Sequence, residues 1–348
     1  MAEMLHSDPQ IRNAAVEKLS QTRSRQPCGQ NRLCGICGWC VALDVSKRLK
    51  HPKSYVREAA VETLGRMGDA ALFHGDQVVA RIKDEDRFVR WAAVESLGLL
   101  GSAAYNSAGL IVACLEDPLM DIREAAAEAL GRLGEFAKHY VGSVTALLDG
   151  SMDPDVRRVA AEALGKMGFT AAEAVPCLSE HIKDQFPHVR VSSLRALAAL
   201  GVAGVAVGAH CEKVVRCIED QCFSVREAAA EALKSFGPCA GPFVPHIAEY
   251  LEHTRQDVRR CAVECLVNIS DHADEHCQSI VTRLDHNDPD VRWCALDAIT
   301  KMGRGTGMTL IDLKTSSSDL YDRKKSLRST PVRRSMSPLR QRGLVLNS

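Results

Sequence analysis

The sequence lacks several features that would assign it quickly to a functional class. No run of apolar residues approaches the roughly 18 that a membrane-spanning helix needs, which argues against a membrane protein. The Gly-rich loop of nucleotide-binding proteins, the G-x-S-x-G turn of serine hydrolases and the H-E-x-x-H helix of zinc proteases are missing, which argues against those enzymes. Aromatic residues make up only 5% of the chain, and the prevalence of Ala and Leu among its apolar residues indicates closely packed helices.

The chain also has no net charge, but its charges are unevenly distributed. Residues 304–348 contain ten Lys or Arg and three Asp or Glu, so the tail carries +7 and residues 1–303 carry −7. Surfaces that bind nucleic acid are basic, because they neutralise phosphates. We therefore expect no nucleic-acid partner for residues 1–303.

Fourteen cysteines are present, but the sequence does not begin with the basic start and apolar run of a secretory signal. Cysteines of proteins that are not secreted usually remain reduced. We therefore expect free thiols and a cytoplasmic location, with the nucleus as the alternative.

One phrase recurs along the chain. It reads "DIREAAAEALGRLG" at 121–134, "VREAAAEALKSFG" at 225–237 and "VREAAVETLGRMG" at 56–68. Its copies share an apolar residue followed by Arg, and that apolar residue is Ile11, Val56, Val89, Ile122, Val156, Val189, Val225, Val258 or Val291. The first interval is 45 residues and the others are 33 to 36, a period that indicates a solenoid of stacked units.

Each copy has the apolar pattern of a helix. If the first apolar residue is position 0, positions 0, 4, 8 and 11 lie on one face at about 100° per residue. Position 12 is Gly in seven of the last eight copies, which predicts a helix end there. A second apolar pattern precedes each phrase, as in "FVPHIAEYLEH" at 243–253, so each unit is predicted to be helix, turn and helix.

The stretch "DPDVRRVAAEALGKMG" at 153–168 resembles the HEAT repeat, particularly the short HEAT-like type also found in phycobilin lyases. The resemblance extends over about 290 residues. It implies an all-α fold for residues 1–303, a right-handed α-solenoid of about nine HEAT-like helix-turn-helix repeats (an ARM-type superhelix), with the second helix of each repeat lining the concave side. The copy that starts at Val189 departs from the pattern at Ser193 and Arg195, which indicates either a change in curvature or a tolerated variant.

Position 1 is Arg in all nine copies, from Arg12 to Arg292. One hypothesis is a row of anion-binding groups. The other, which we favour, is a structural ladder in which each Arg bonds an Asp in the inter-helix turn of a neighbouring unit. The candidate acceptors lie five residues before position 0 and are Asp84, Asp117, Asp184 and Asp220.

Positions 2 and 6 lie opposite the buried stripe and face the predicted groove. Large aromatic rings at exposed positions are typical of partner-binding surfaces. The residues predicted to bind a partner occupy these positions and are Trp91, Glu95, Glu124, Glu128, Arg158, Glu162, Glu227, Glu231 and Trp293. The alternatives are an ordinary solvated face for the charges and rings that lie flat on adjacent helices for the tryptophans.

The longer first interval contains a Cys-rich insert at about residues 22–40. Its cysteines have the spacing C-x5-C-x2-C-x2-C and are Cys28, Cys34, Cys37 and Cys40, which are candidate ligands of zinc or an iron–sulfur cluster. The usual zinc spacing and the usual Pro after the last cluster Cys are both missing. We favour a flexible insertion with free thiols and predict no cofactor.

Residues 304–348 are rich in Ser and Arg and poor in apolar residues, which predicts a disordered tail. Candidate phosphorylation sites there are Ser326, Thr330 and Ser337, because each lies beside basic residues or before Pro. Phosphate would replace local positive charge with negative charge. A basic tail and an acidic groove suggest docking that phosphorylation releases, and the alternative is a solvated terminus.

These features favour a non-enzymatic scaffold or adaptor that binds a protein or peptide with a basic segment along the concave face. The alternative is a HEAT-like enzyme or a chaperone-like lyase that acts on a bound chromophore or a modified protein. Deoxyhypusine hydroxylase resembles this chain in its repeats, but it holds iron with His-Glu pairs. This sequence contains no His-Glu dipeptide, so we do not expect that activity.

Overall fold

The computed structural model describes residues 2–21, 38–101, 107–272 and 277–303. In these ranges all regular structure is helical, and no helix is long and apolar enough to cross a membrane. The α-helices are α1 (Pro9–Ser20), α2 (Gly38–Ser46), α3 (Ser54–Met67), α4 (Gly75–Val79), α5 (Arg87–Leu100), α6 (Ala108–Ala113), α7 (Met120–Leu133), α8 (Val141–Gly150), α9 (Pro154–Met167), α10 (Val175–His181), α11 (Pro187–Val202), α12 (Cys211–Arg216), α13 (Phe223–Ser235), α14 (Val244–Glu249), α15 (Gln256–Asn268), α16 (Gln278–Val281) and α17 (Pro289–Met302).

Within the described ranges, these helices form nine units, and units 2 to 9 each have a first and a second α-helix. The odd-numbered helices are the second helices and carry the recurring phrase. The first helices are shorter α-helical segments that 3-10 turns extend, such as Gly134–Tyr140 before α8. Unit 1 has only a 3-10 turn, Ala2–Leu5, in place of a first helix. The predicted all-α solenoid of helix-turn-helix units is therefore confirmed.

Short polar side chains and Pro begin several second helices. Asp153 caps α9 by accepting a hydrogen bond of 2.8 Å from the amide of Asp155. Pro154 occupies the first turn of α9, where its missing amide hydrogen costs nothing. Asp288 and Pro289 begin α17 in the same way. This local chemistry fixes where the second helix starts in each such unit.

Glycine ends most second helices, as position 12 predicts. The chain turns there with positive φ, between 50° and 58°, a conformation that favours Gly, and the residues are Gly68, Gly101, Gly134, Gly168 and Gly237. The predicted helix end is wrong at Gly201, whereas α17 ends at Gly303 as predicted but without a positive φ. Gly201 stays inside α11, which continues to Val202, and the positive φ falls at Gly204 instead. Gly303 has a helical φ of −61°.

The predicted buried stripe forms one continuous core through the described units. In α7 the residues at positions 0, 4, 8 and 11 are at most 2% exposed and are Ile122, Ala126, Leu130 and Leu133. Position 5 is buried as well, for example at Ala127, because α7 packs against α5 on one side and α9 on the other. Each unit thus completes its core only through its neighbours.

The unit that departs from the consensus is accommodated in the stack. Ser193 is fully buried, and its hydroxyl has no hydrogen-bond partner in the described structure, whereas Arg195 is exposed. Helix α11 nevertheless packs as extensively on α9 and α13 as the other central second helices pack on their neighbours. The packing supports the interpretation of a tolerated variant.

Successive second helices approach each other closely in the central units. A Cβ atom added to Gly98 of α5 would lie only 2.7 Å from the Cα atom of Ala129 in α7. Successive first helices contact each other much less. The second helices therefore form the tightly packed row of the solenoid.

We predict that Gly134→Ala destabilises the protein by about 1–2 kcal/mol, because Ala is strained at a φ of 50° although no neighbouring atom obstructs its Cβ. The matched control is Gly142→Ala inside α8, where the Cβ also meets nothing, and it should be neutral or stabilising by up to about 1 kcal/mol. Urea unfolding followed by circular dichroism measures both. Equal midpoints for the two variants would contradict the conformational argument.

Candidate functional site

The arginines at position 1 first bind the turn of their own unit. In all nine copies Nη1 donates a hydrogen bond to the backbone carbonyl six residues earlier. Arg157, for example, donates to the carbonyl oxygen of Ser151 at 2.9 Å and to that of Met152 at 3.4 Å. The guanidinium thus satisfies carbonyls in the turn between the two helices.

The same arginines also pair with the next unit. Arg57 Nη2 lies 2.7 Å from Asp84 Oδ1, and Arg157 Nε lies 2.8 Å from Asp184 Oδ2. Arg190 pairs with Asp220 at 2.8 Å, and Arg90 pairs with Asp117 at 3.7 Å. The predicted structural ladder is confirmed for these four pairs, whose arginine side chains are therefore engaged within the solenoid.

Three further pairs use an acceptor that the sequence analysis missed. The acceptor is an Asp directly before position 0 of the following unit, and the pairs are Arg123–Asp155 at 3.8 Å, Arg226–Asp257 at 2.9 Å and Arg259–Asp290 at 2.9 Å. The signal was available, since each of these Asp residues stands one residue before the repeated phrase. The ladder thus uses two acceptor positions, five residues and one residue before position 0 of the next unit.

The ladder shifts the pKa of its best-buried carboxylates. Burial alone would raise the pKa of Asp84, but the hydrogen bonds from Arg57 and from the amide of Asp86, with the charges of Arg57 and Arg81, outweigh it. The pKa of Asp84 therefore lies below its ordinary value. The pKa of Asp184 is lowered in the same way, against burial, by Arg157 and by the amide of Phe186.

The outward positions 2, 6 and 10 of successive second helices form a continuous strip in the central units, which we call the groove row. Arg158 Nη2 reaches Glu124 Oε1 of the preceding unit at 3.1 Å, and both residues occupy position 2. Lys166 Nζ lies 2.6 Å from Glu128 Oε2, again between units. Such contacts require the units to stack in register.

Two open depressions lie along the groove row. One, of about 470 Å³, brings together five of the predicted site residues, which are Trp91, Glu95, Glu124, Glu128 and Glu162. The other, of about 640 Å³, lies between α15 and α17 and is lined by Trp293 together with Val263, Val267 and Cys294. Glu227 and Glu231 line neither depression, and Arg158 adjoins the first through its ion pair with Glu124.

Both predicted tryptophans remain accessible. Trp293 is 53% exposed, whereas Trp91 is half-buried and packs against the core. Trp91 rests on the core and lines an open depression, so its indole is constrained in orientation, which lowers the entropy cost of binding. The geometry thus suits both rings to contact a partner.

The acidic character of the groove row is uneven. In the described structure the central glutamates are already paired: Glu128 with Lys166, Glu124 and Glu162 with Arg158, and Glu95 with Arg132 at 3.9 Å. The hydrogen bond and charge of Lys166 outweigh burial and lower the pKa of Glu128. In contrast, Glu227, Glu231 and Glu264 are exposed and have no ion-pair partner among the described residues.

Near the N-terminal end of the row, carboxylates lie close enough to disfavour each other's charge. Burial and the charge of Glu62 raise the pKa of Glu58, and burial and the charge of Glu95 raise the pKa of Glu62, although Arg66 opposes the latter shift. Glu62 is also paired, with Arg66 at 2.6 Å, so the exposed and unpaired negative charge of the described row lies towards its C-terminal end, at Glu227, Glu231 and Glu264.

Several predicted residues fall outside the described ranges. Of the Cys-rich insert, Cys28, Cys34 and Cys37 lie outside them, whereas Cys40 is buried in α2. The candidate phosphorylation sites Ser326, Thr330 and Ser337, with the whole tail 304–348, lie outside them too.

Family models and solved structures agree on the repeat. A model described as HEAT repeats matches residues 75–139 and 142–207, and a second HEAT repeat model matches residues 243–273. No curated protein sequence matches the chain.

Among solved structures, the karyopherin Kap121p bound to the extreme C-terminus of the protein phosphatase Cdc14p is similar, with a TM-score of 0.58 and 14% identity over 94% of this chain and 39% of that chain. Kap121p bound to RanGTP has a TM-score of 0.58 and 14% identity, over 95% of this chain and 40% of that chain. Yeast importin-beta (Kap95p) has a TM-score of 0.56 and 15% identity, over 93% of this chain and 48% of that chain. The chain spans two fifths to one half of these proteins, and likeness at this identity shows the fold alone.

We predict that Asp84→Asn destabilises the protein by about 3 kcal/mol at pH 7, because it removes the buried anion of Arg57 and leaves the guanidinium only the exposed carboxylate of Glu85, at 3.3 Å. A lowered carboxylate pKa stabilises the fold above the unfolded value of about 4 and loses that effect as the pH falls through the folded value. The unfolding temperature of the variant should therefore fall less between pH 7 and pH 3 than that of the parent protein.

The matched control is Glu212→Gln, which removes the exposed pair of Glu212 with Arg216. Exposed pairs contribute little, so its effect should remain below about 0.5 kcal/mol. If Asp84→Asn were as mild as this control, the ladder would not be the element that holds the units together.

Proposed function

Because the chain is a HEAT-repeat protein, we propose that it acts as a non-enzymatic adaptor that holds a protein or peptide along the groove row. The observation that carries the proposal is the presence of two open depressions on one row of helices, each with an accessible tryptophan. A stack of repeats offers such a long surface and gains affinity from several contacts at once. Kap121p, which has a similar fold, is bound to the extreme C-terminus of Cdc14p in its crystal structure.

The packing supports a concave location for the groove row. Second helices meet at backbone distance in the central units, while first helices contact each other much less. A stack that is tighter along one row than along the other curves towards the tighter row. The proposal therefore places the partner on the inner side of the curve, where a chain can contact several units.

The charges suggest where along the groove row the basic segment of the partner binds. Its basic segment would contact Glu227 and Glu231 of α13 and Glu264 of α15, since these carboxylates have no ion-pair partner in the described structure. Glu95, Glu124, Glu128, Arg158 and Glu162 are engaged with each other or with Arg132 and Lys166, so they would contribute shape and specificity more than net attraction. Anchoring would come from Trp91 and Trp293.

The enzymatic alternative gains no support from the described groove. Neither depression is lined by a His side chain, and only Cys294 offers a thiol. Burial raises the pKa of Cys294, which keeps this thiol protonated at neutral pH. We also propose a cytoplasmic or nuclear location, in line with the free cysteines of the described residues, which imaging of the tagged chain would test.

The groove proposal predicts that Trp91→Ala combined with Trp293→Ala abolishes capture of the proteins that the parent chain binds. Each buried aromatic anchor contributes about 2 kcal/mol, so losing both should weaken binding by ~1000-fold. The matched control is Phe169→Ala, which removes a 65% exposed ring outside the two depressions. Quantitative mass spectrometry of parallel affinity captures compares the variants, and equal capture by all three would refute the groove.

A second pair of variants separates charge from shape in the same captures. Glu227→Gln with Glu231→Gln and Glu264→Gln should weaken a salt-sensitive partner, while Glu124→Gln with Glu128→Gln should weaken it less, because the latter glutamates are already paired. The reverse order would place the basic segment of the partner at the centre of the row.

We also propose that the tail 304–348 regulates the groove by docking there until phosphorylation releases it. An unmodified 314–348 peptide should bind residues 1–303 at least ~10-fold more tightly than the peptide phosphorylated at Ser326, Thr330 and Ser337, because each phosphate adds about −1.5 to −2 charges. Fluorescence anisotropy at low and high salt measures both peptides. Salt-insensitive binding, or no binding of either form, would exclude docking.

A further inference from the structure

Three different metal-binding side chains converge on the first-helix side of units 5 and 6. Cys177 and His181 lie one turn apart on α10, and Asp149 lies near the end of α8. Cys177 Sγ is 3.2 Å from Asp149 Oδ1 and 3.8 Å from His181 Nδ1, and His181 Nδ1 is 3.8 Å from Asp149 Oδ1. These three atoms thus form one triangle with a short side of 3.2 Å and two sides of 3.8 Å.

The size of this triangle fits a single Zn²⁺ ion. A point equidistant from the three donor atoms lies about 2.1 Å from each, while zinc bonds measure about 2.3 Å to sulfur and about 2.0–2.2 Å to imidazole nitrogen and carboxylate oxygen. A displacement of a few tenths of an ångström would reach those lengths. A thiolate with an imidazole also favours zinc over magnesium or calcium, which prefer oxygen ligands.

The packing of the repeat does not demand this cluster. The pair that corresponds to Cys177 and His181 is Lys213 and Cys217 in unit 7 and His246 and Tyr250 in unit 8. The side chains are accessible as well, since Cys177 and His181 are half-buried and Asp149 is exposed. Units 7 and 8 therefore do not repeat the Cys–His pair of unit 6. The side chains of Cys177, His181 and Asp149 remain accessible to solvent.

We propose that Cys177, His181 and Asp149 form a Zn²⁺ site with water as the fourth ligand. Binding releases the thiol proton of Cys177, which the thiol now shares with Asp149, to solvent. His181 would give up the hydrogen bond that Nδ1 makes to the carbonyl oxygen of Cys177 at 3.1 Å and carry its proton on Nε2, so that Nδ1 is free to bind the ion. The ion joins α8 to α10, two helices that otherwise contact each other only slightly. This site is spatially separate from the groove row, because it lies on first helices and shares none of the residues of that row.

The test uses full-length protein in which Cys28, Cys34 and Cys37 are replaced by Ser, so that the Cys-rich insert cannot bind metal. Co²⁺ serves as the spectroscopic probe because a cobalt–thiolate bond gives an intense near-ultraviolet charge-transfer band, and Zn²⁺ is then measured by competition. We expect one equivalent to bind. Cys177→Ser, His181→Gln and Asp149→Asn should each weaken binding by at least ~10-fold, because even outer-sphere changes cost about 10–100-fold.

The control is Cys239→Ser, which removes an exposed thiol outside the cluster and should bind the metal as the parent does. Zn²⁺ should also raise the unfolding temperature of the parent but not that of Cys177→Ser, and circular dichroism confirms that each variant is folded. No bound equivalent in the parent would overturn the proposal. Unchanged affinity in the three ligand variants would overturn it as well, by placing the metal elsewhere.

Discussion

One guanidinium per unit determines how this solenoid stacks. The arginine at position 1 holds the turn of its own unit through backbone carbonyls and, in seven of the described pairs of neighbouring units, approaches an aspartate of the next. Because Arg57 and Asp84 are both buried, a shift in register would leave charges unpaired in a low-dielectric site, which is costly. The apolar stripe supplies the driving force for stacking, but it would tolerate sliding more readily than these directional bonds do.

Residue size at position 9 explains why the groove row is not uniform. This position is Gly in units 2–5, where an added Cβ such as that of Gly98 would meet the backbone of the next second helix. It is Lys234, Val267 and Thr300 in units 7–9, and α13, α15 and α17 contact each other less than the central second helices do. Without Gly at this position the backbones of α13, α15 and α17 do not approach as closely, and the larger depression with Trp293 lies between α15 and α17.

The sequence predicted the features that recur in every unit, but it did not predict the contacts that are specific to one pair of neighbouring units. The period, the buried stripe at Ile122 and Leu130 and most of the helix-ending glycines follow from local periodicity. Helix α11 continues past Gly201, where an added Cβ would lie only 3.2 Å from the ring of Phe236 in the next unit, and no local pattern encodes this close approach. The pairing of Glu124 with Arg158, and the approach of Asp149 to Cys177, join residues about one repeat apart. Such contacts depend on the exact stacking geometry.

The two rows of helices have different mechanical roles. Since the second helices meet at backbone distance, the central stack can change its curvature mainly by changing the spacing of the loosely packed first helices. An ion held by Asp149, Cys177 and His181 would fix that spacing between units 5 and 6. Glu162 and Lys166 of α9 line the first depression, and α9 is the second helix of unit 5, so the spacing also bears on the shape of the groove row. Metal on one side and partner on the other would then be coupled through the curvature of the same two units.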